Sequence, residues 1–137
     1  MSDCAITGSF VAAVSGHPAW WNDDRRYHCA YCGVRTCKWS ACKGAEPPGD
    51  ASSRDHVIPK KLGGRLLIPA CVTCNRAKGS GSLETFMASA HFQSVRQSAD
   101  SRHWSVEDLW LAHAAAALQI CFRLKNTVVE AAVAVAA

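Results

Sequence analysis

Two cysteine pairs, Cys29-Ala-Tyr-Cys32 and Cys71-Val-Thr-Cys74, bracket the dipeptide Asp55-His56, and Asn75 follows the last cysteine directly. Two such pairs can close a tetrahedral zinc site. Four thiolates leave no open coordination position, so the metal they imply is structural and any chemistry must sit elsewhere. Asp55, His56 and Asn75 are the residues for that chemistry. A carboxylate and a carboxamide offer hard oxygen ligands for Mg²⁺ or Mn²⁺, and a neighbouring neutral imidazole can take a proton from water. The pattern predicts a hydrolytic site on a zinc-stapled scaffold.

Charge is concentrated on the same segment. Arg54, Lys60, Lys61, Arg65, Arg76 and Lys78 face the single acid Asp55, so the formal surplus of +4 for the whole chain gathers on the motif. Most charge clusters are solvated faces. Beside a hydrolytic site, however, these six cations become candidate contacts for a phosphate backbone, with DNA as the expected partner.

At 137 residues the chain suits one compact unit with a helical appendage. Its eight cysteines would fit a secreted disulfide scaffold, but the paired spacing favours metal thiolates in a reducing, cytoplasmic compartment. No secretory signal core is legible near the N-terminus, and the apolar run Val128 to Ala137 is too short to span a bilayer. No membrane association is expected.

The elements that must position the site can be read coarsely. Residues 1–16 carry little signal. Gly33 suits the tight turn that aims both sulfurs of the first pair at one metal. Residues 34–53, with Glu46-Pro47-Pro48-Gly49, read as an irregular loop. A strand is expected over Arg54 to Pro59, a hairpin-type turn at Gly63-Gly64, a second strand over Leu66 to Pro69, and a short helix from Thr73 to Lys78 ended by Gly79. Ser82 then caps a helix with Leu83, Phe86, Met87 and Ala90 on one face. Ser105 and Asp108 form a capping box for a longer helix. There Val106, Leu109, Trp110, His113, Ala117, Leu118, Ile120, Cys121 and Leu124 recur at helical spacing and should be buried. The division expected is 1–16 as a terminal segment, 17–81 as the core, and 82–137 as a helical extension.

Cys-Ala-Tyr-Cys-Gly, Asp-His-Val-Ile-Pro, Gly-Gly and Ile-Pro-Ala-Cys-Val-Thr-Cys-Asn-Arg-Ala-Lys-Gly, taken in order, resemble the four-cysteine branch of the HNH endonucleases over roughly Tyr27 to Ser80. The arrangement of Asp-His, with Asn after the last cysteine, is similar to that of phage endonuclease VII. The resemblance implies an α+β, ββα-metal fold that cuts DNA phosphodiesters with a divalent ion. It makes Asp55 a metal ligand, His56 the general base and Asn75 the second protein ligand. One position departs from the pattern. The second strand of that family usually begins with an asparagine that holds the histidine-bearing loop, whereas the aligned residue here is Leu66.

The expected activity is therefore metal-dependent hydrolysis of DNA, with Zn²⁺ structural at Cys29, Cys32, Cys71 and Cys74, and Mg²⁺ or Mn²⁺ catalytic at Asp55 and Asn75. A general base at His56 must be neutral, so activity should fall below a pH of about 6.5, the ordinary imidazole value. The alternative motivated by Leu66 is a zinc-stapled nucleic-acid-binding module that has lost cleavage. A third class is an interaction protein that docks through its long C-terminal helix, and a homodimer through that helix fits the first reading as well. Cys37 and Cys42 stay open between free thiols, a second metal site with His28, and alternates to one pair. Trp20, Trp21 and Trp39 are candidates for base stacking or for the core.

Overall fold

The computed structural model describes residues 23–40, 45–97 and 103–136. The expected terminal segment 1–16, with Cys4, Trp20, Trp21 and Cys42, lies outside them. The architecture is mixed α+β. Strand β1 (Ser52–His56) pairs antiparallel with β2 (Leu67–Cys71), Ser52 opposite Cys71 and His56 opposite Leu67. Helices α1 (Val72–Lys78), α2 (Leu83–Met87), α3 (Ala90–Gln97) and α4 (Val106–Ala136) follow, and single 3-10 turns occupy Asp24–Tyr27 and Lys60–Leu62.

Each strand lies off its expected span, β1 starting two residues earlier and stopping at His56, three residues short of Pro59, and β2 beginning one residue later and running on to Cys71. The early start of β1 and the late end of β2 have one cause. The Ala51 and Ser52 backbones are already tied to Pro48 and to Cys37, which starts the strand inside what reads as loop. Pro69 is tolerated because a two-stranded sheet is all edge, and its carbonyl accepts from the Ala30 N–H at 2.9 Å, docking the first cysteine turn on β2.

The connection between strands is not a two-residue hairpin. Gly63, at φ 89°, ends the Lys60–Leu62 turn in the left-handed region, while Gly64 is buried. A Cβ on Gly64 would stand 1.8 Å from the Ile58 carbonyl oxygen, so the second glycine serves close packing of backbone on backbone. Gly33 does adopt a positive φ of 78°, and its N–H closes the turn on the Cys29 carbonyl at 2.9 Å.

The single helix expected from Ser82 is two. Ser82 caps α2 as expected, accepting from the Thr85 N–H, and Leu83 and Phe86 are buried. Ser89 then breaks the run. Its hydroxyl donates to the Phe86 carbonyl and accepts from the Phe92 N–H, ending one helix and starting the next, and this leaves Ala90 exposed. The Ser105–Asp108 capping box forms reciprocally at 3.0 and 3.1 Å. The face that α4 buries differs from the expected stripe. Leu109, Ala112, Ala115 and Ala116 are buried, whereas Val106, Trp110, Leu118 and Leu124 are exposed. The helix is apolar nearly all round, so periodicity does not select a face, and alanines allow the closer approach.

One apolar cluster crosses the expected boundary at residue 81. Tyr31, Val57, Leu66 and Ile68 pack with Phe86, Phe92, Trp104 and Leu109. The Tyr31 and Phe86 rings meet edge to face at 4.9 Å, and the Trp104 Nε1–H donates to the Arg25 carbonyl at 3.0 Å, pinning the start of the chain's described part to the segment that leads into α4. Among the described residues no helix is long and apolar enough to cross a membrane.

Gly64→Ala should cost at least about 2 kcal/mol of folding free energy, because the added methyl meets fixed backbone rather than a movable side chain. Urea denaturation of the variant checks this. A midpoint equal to wild type would contradict the packing.

Candidate metal centre and active site

The two cysteine pairs meet. The first sits on the turn after the 3-10 helix, and the second spans the end of β2 and the first turn of α1, where the Cys71 sulfur also caps the helix by accepting from the Cys74 N–H at 3.4 Å. All four sulfurs lie within 4.8 Å of one another, and those of Cys32 and Cys71 are 3.8 Å apart. A tetrahedron with metal–sulfur bonds of about 2.3 Å has edges of about 3.8 Å, so the cluster can hold a metal such as zinc. Without a cation the four thiols share their protons. Hydrogen bonds from Cys32, Cys71 and Cys74 hold the Cys29 thiol far below its ordinary range, and those same contacts push the Cys71 and Cys74 thiols up.

Two residues complete the surroundings. The His91 Nε2 lies 3.4 Å from the Cys74 sulfur. Arg96 places one guanidinium nitrogen on the Trp104 carbonyl at 2.9 Å, while its buried Nε and Nη2 make no hydrogen bond. Buried, unpartnered N–H groups cost free energy. A tetrathiolate with a divalent ion carries a net charge of −2, and Arg96 lies within the field of Cys29 and Cys32. The orphaned donors and the thiolate charge therefore fit each other.

Asp55 lies on β1 with its side chain turned inward, 5% exposed. Its Oδ2 accepts from the Tyr31 hydroxyl and from the Lys78 Nζ at 3.0 Å. Tyr31 stays a protonated donor. Burial, and then the charge of Asp55, push its phenol well above the ordinary value. The Oδ1 of Asp55 makes no hydrogen bond among the described residues and remains available.

Asn75, one residue past Cys74, donates its Nδ2 to the Ser53 hydroxyl at 3.1 Å and to the Arg54 carbonyl at 3.2 Å. With the nitrogen so engaged, the carboxamide oxygen is the uncommitted end. Asp55, Asn75 and His56 all line one cleft of about 270 Å³. A carboxylate and a carboxamide offer hard oxygen donors.

The six expected cations divide. Arg54, Lys60 and Lys61 line the cleft. Arg65 and Arg76 are exposed outside it. Lys78 is turned inward with its side chain 0% exposed, so it meets Asp55 rather than solvent. It also donates to the His56 carbonyl at 3.0 Å. The position of the departing residue is equally informative. Leu66 is a core side chain, and its carbonyl accepts from the Val57 N–H at 3.1 Å. Together with the Gly64–Ile58 contact, these bonds fix the strand end at His56 and the Val57–Ile58 segment that follows it.

Tyr31 and the second role of Lys78 were not legible beforehand, although Tyr31 lies inside the first cysteine pair. His91 and Arg96 lack a spacing signal. Cys37 stands apart from the cluster, with its sulfur 3.5 Å from an Asp50 carboxylate oxygen, and His28 stacks on His103 at 3.7 Å. Neither joins the metal centre. No family model, curated protein or solved structure matches the chain.

Stripping the metal with a thiol-competent chelator should abolish the cooperative fold of the segment from Cys29 to Gly79, seen as loss of near-ultraviolet circular dichroism and recovered on adding Zn²⁺. Lys78→Met should destabilise the zinc-loaded protein by about 3 kcal/mol or more in urea, because it strands the Asp55 charge. Adding Asp55→Asn to that variant should restore part of the loss.

Proposed function

We propose that this chain is a metal-dependent endonuclease of the HNH type, with a ββα-metal core stapled by structural zinc and DNA as its substrate. The observation that carries the reading is the convergence of Asp55, His56 and Asn75 on one cleft rimmed by Arg54, Lys60 and Lys61. The order β1, β2, α1, with the second cysteine pair at the strand–helix junction, supports it.

A phosphodiester resists hydrolysis because its charge repels the nucleophile and its leaving alkoxide is poor. Mg²⁺ or Mn²⁺, held by Asp55 and Asn75, would neutralise charge that develops on the phosphate and leaving oxygens. The chain supplies the remainder. Arg54, Lys60 and Lys61 hold the phosphate at the cleft, and His56, neutral, takes the proton from the attacking water. As the new oxygen–phosphorus bond forms, the bond to the leaving oxygen breaks. Lys78 orients the Asp55 carboxylate and holds the His56 backbone.

A second reading rests on the same ion pair. Asp55 is already neutralised by a buried lysine, which favours a zinc-stapled nucleic-acid-binding module with no catalytic ion. The two readings part on His56. In a plasmid-nicking assay of the zinc-loaded protein with Mg²⁺ or Mn²⁺, His56→Ala should lose at least about 100-fold in rate, the low end for a general base, while zinc content and DNA affinity stay unchanged. EDTA should abolish cutting. Undiminished cutting by His56→Ala would overturn the mechanism, and a wild-type protein that binds DNA without cutting it would select the binding module.

A further inference from the structure

Beside Arg54 lies a second cleft of about 370 Å³, which joins β1 and β2 residues to Arg26 and Tyr27 ahead of the first cysteine pair and to Thr36 and Lys38 behind it. Its walls include Arg26, Tyr27, Thr36, Lys38, Ser52 and Arg54, with no acidic residue among the lining groups. Tyr27 is 41% exposed. The guanidiniums of Arg26 and Arg35 lie 4.6 and 5.5 Å from its ring centre, and Arg26 donates to its hydroxyl. Two planar cations against an exposed aromatic ring form a surface that can face phosphates and bases at once.

The geometry points to this cleft as the continuation of the nucleic-acid track, receiving the DNA backbone next to the phosphate at His56. The inference rests on the endonuclease reading and deepens it. Arg54 lines both clefts and so joins them. On β1, Ser52, Arg54 and His56 share one face by strand alternation. The distance from Ser52 to His56 is about 13 Å at 3.3 Å per residue. At 3.4 Å of helix rise per nucleotide this corresponds to about four nucleotides of one strand. Across that span Arg26, Lys38, Arg54, Lys60 and Lys61 line the path, and the single carboxylate, Asp55, is already paired with Lys78. A polyanion with regularly spaced charges fits such a track better than a compact anion does.

The test is fluorescence anisotropy of a 5′-labelled duplex of about 20 base pairs with the zinc-loaded full chain, titrated at several KCl concentrations, each duplex strand offering one charge per 3.4 Å. The double variant Arg26→Gln, Lys38→Gln removes two contacts. It should lower the slope of log affinity against log salt by about two and weaken binding about tenfold or more near 0.1 M salt. The charge-matched control Arg65→Gln, Arg76→Gln, at exposed cations outside both clefts, should change the slope by less than half as much. Nicking by the cleft variant should show a raised KM with kcat retained. If wild type binds with a clear salt slope and the two double variants behave alike, this cleft is not part of the track while the endonuclease reading stands. If wild type shows no salt-dependent DNA binding, both fall. Polyglutamate competing as well as DNA at equal charge would overturn the assignment to nucleic acid.

Discussion

The cluster of four sulfurs is the constraint from which the rest of the site follows. Cys32 and Cys71 are 39 residues apart in sequence, and a metal between them would close that loop where the described residues offer two short strands to hold it. The cysteines also carry the site with them. Tyr31 lies between the cysteines of the first pair and donates to Asp55, while Asn75 is the residue after the last cysteine. Of the two oxygen ligands proposed for the catalytic ion, Asn75 is the residue next to a cysteine and Asp55 is hydrogen-bonded to the residue next to one. Beside the sulfurs stand His91, 3.4 Å from that of Cys74, and Arg96, in the field of Cys29 and Cys32, both on α3. The C-terminal helices thus take part in the metal centre.

Lys78 is the second hinge of the arrangement. A lysine with no exposed side-chain surface must have its ammonium fully engaged, and it meets one carboxylate oxygen and one backbone carbonyl, both from the end of β1. This holds the strand end that carries Asp55 and His56 against α1. A family-type asparagine at position 66 is expected to hold that loop by a side chain. Here Leu66 contributes packing and a backbone carbonyl, and Gly64 removes the Cβ that would push the loop away. The loop is secured by different atoms, which is why the departure at position 66 does not by itself argue for a lost activity.

What could be read from sequence follows from what each signal encodes. Cysteine spacing encodes a metal site directly, because ligand geometry admits few alternatives, and the four sulfurs do converge. Caps are local too, so Ser82, Gly79 and the Ser105–Asp108 pair appear where expected. Charge does not encode direction. Six cations near one motif read alike, and only the fold separates inward Lys78 from Arg54, Lys60 and Lys61 at the cleft and from Arg65 and Arg76 outside it. Nor does apolar periodicity choose a face when nearly every position of a helix is apolar, as in α4, where small alanines and not the tryptophan turn inward. Contacts such as Arg96 with Trp104, or Tyr31 with Asp55, join residues with no pattern between them and come from tertiary packing alone.

In the proposed endonuclease, the cysteine-stapled scaffold presents oxygens of Asp55 and Asn75 to a catalytic divalent ion. Titration of the zinc-loaded protein with Mn²⁺, followed by electron paramagnetic resonance of the free ion, tests it without reference to any substrate. One Mn²⁺ bound per chain in wild type, and loss of that binding in Asp55→Asn with zinc content unchanged, is the predicted result. Mn²⁺ that stays free at millimolar concentration in wild type, or that binds equally well to Asp55→Asn, would contradict it.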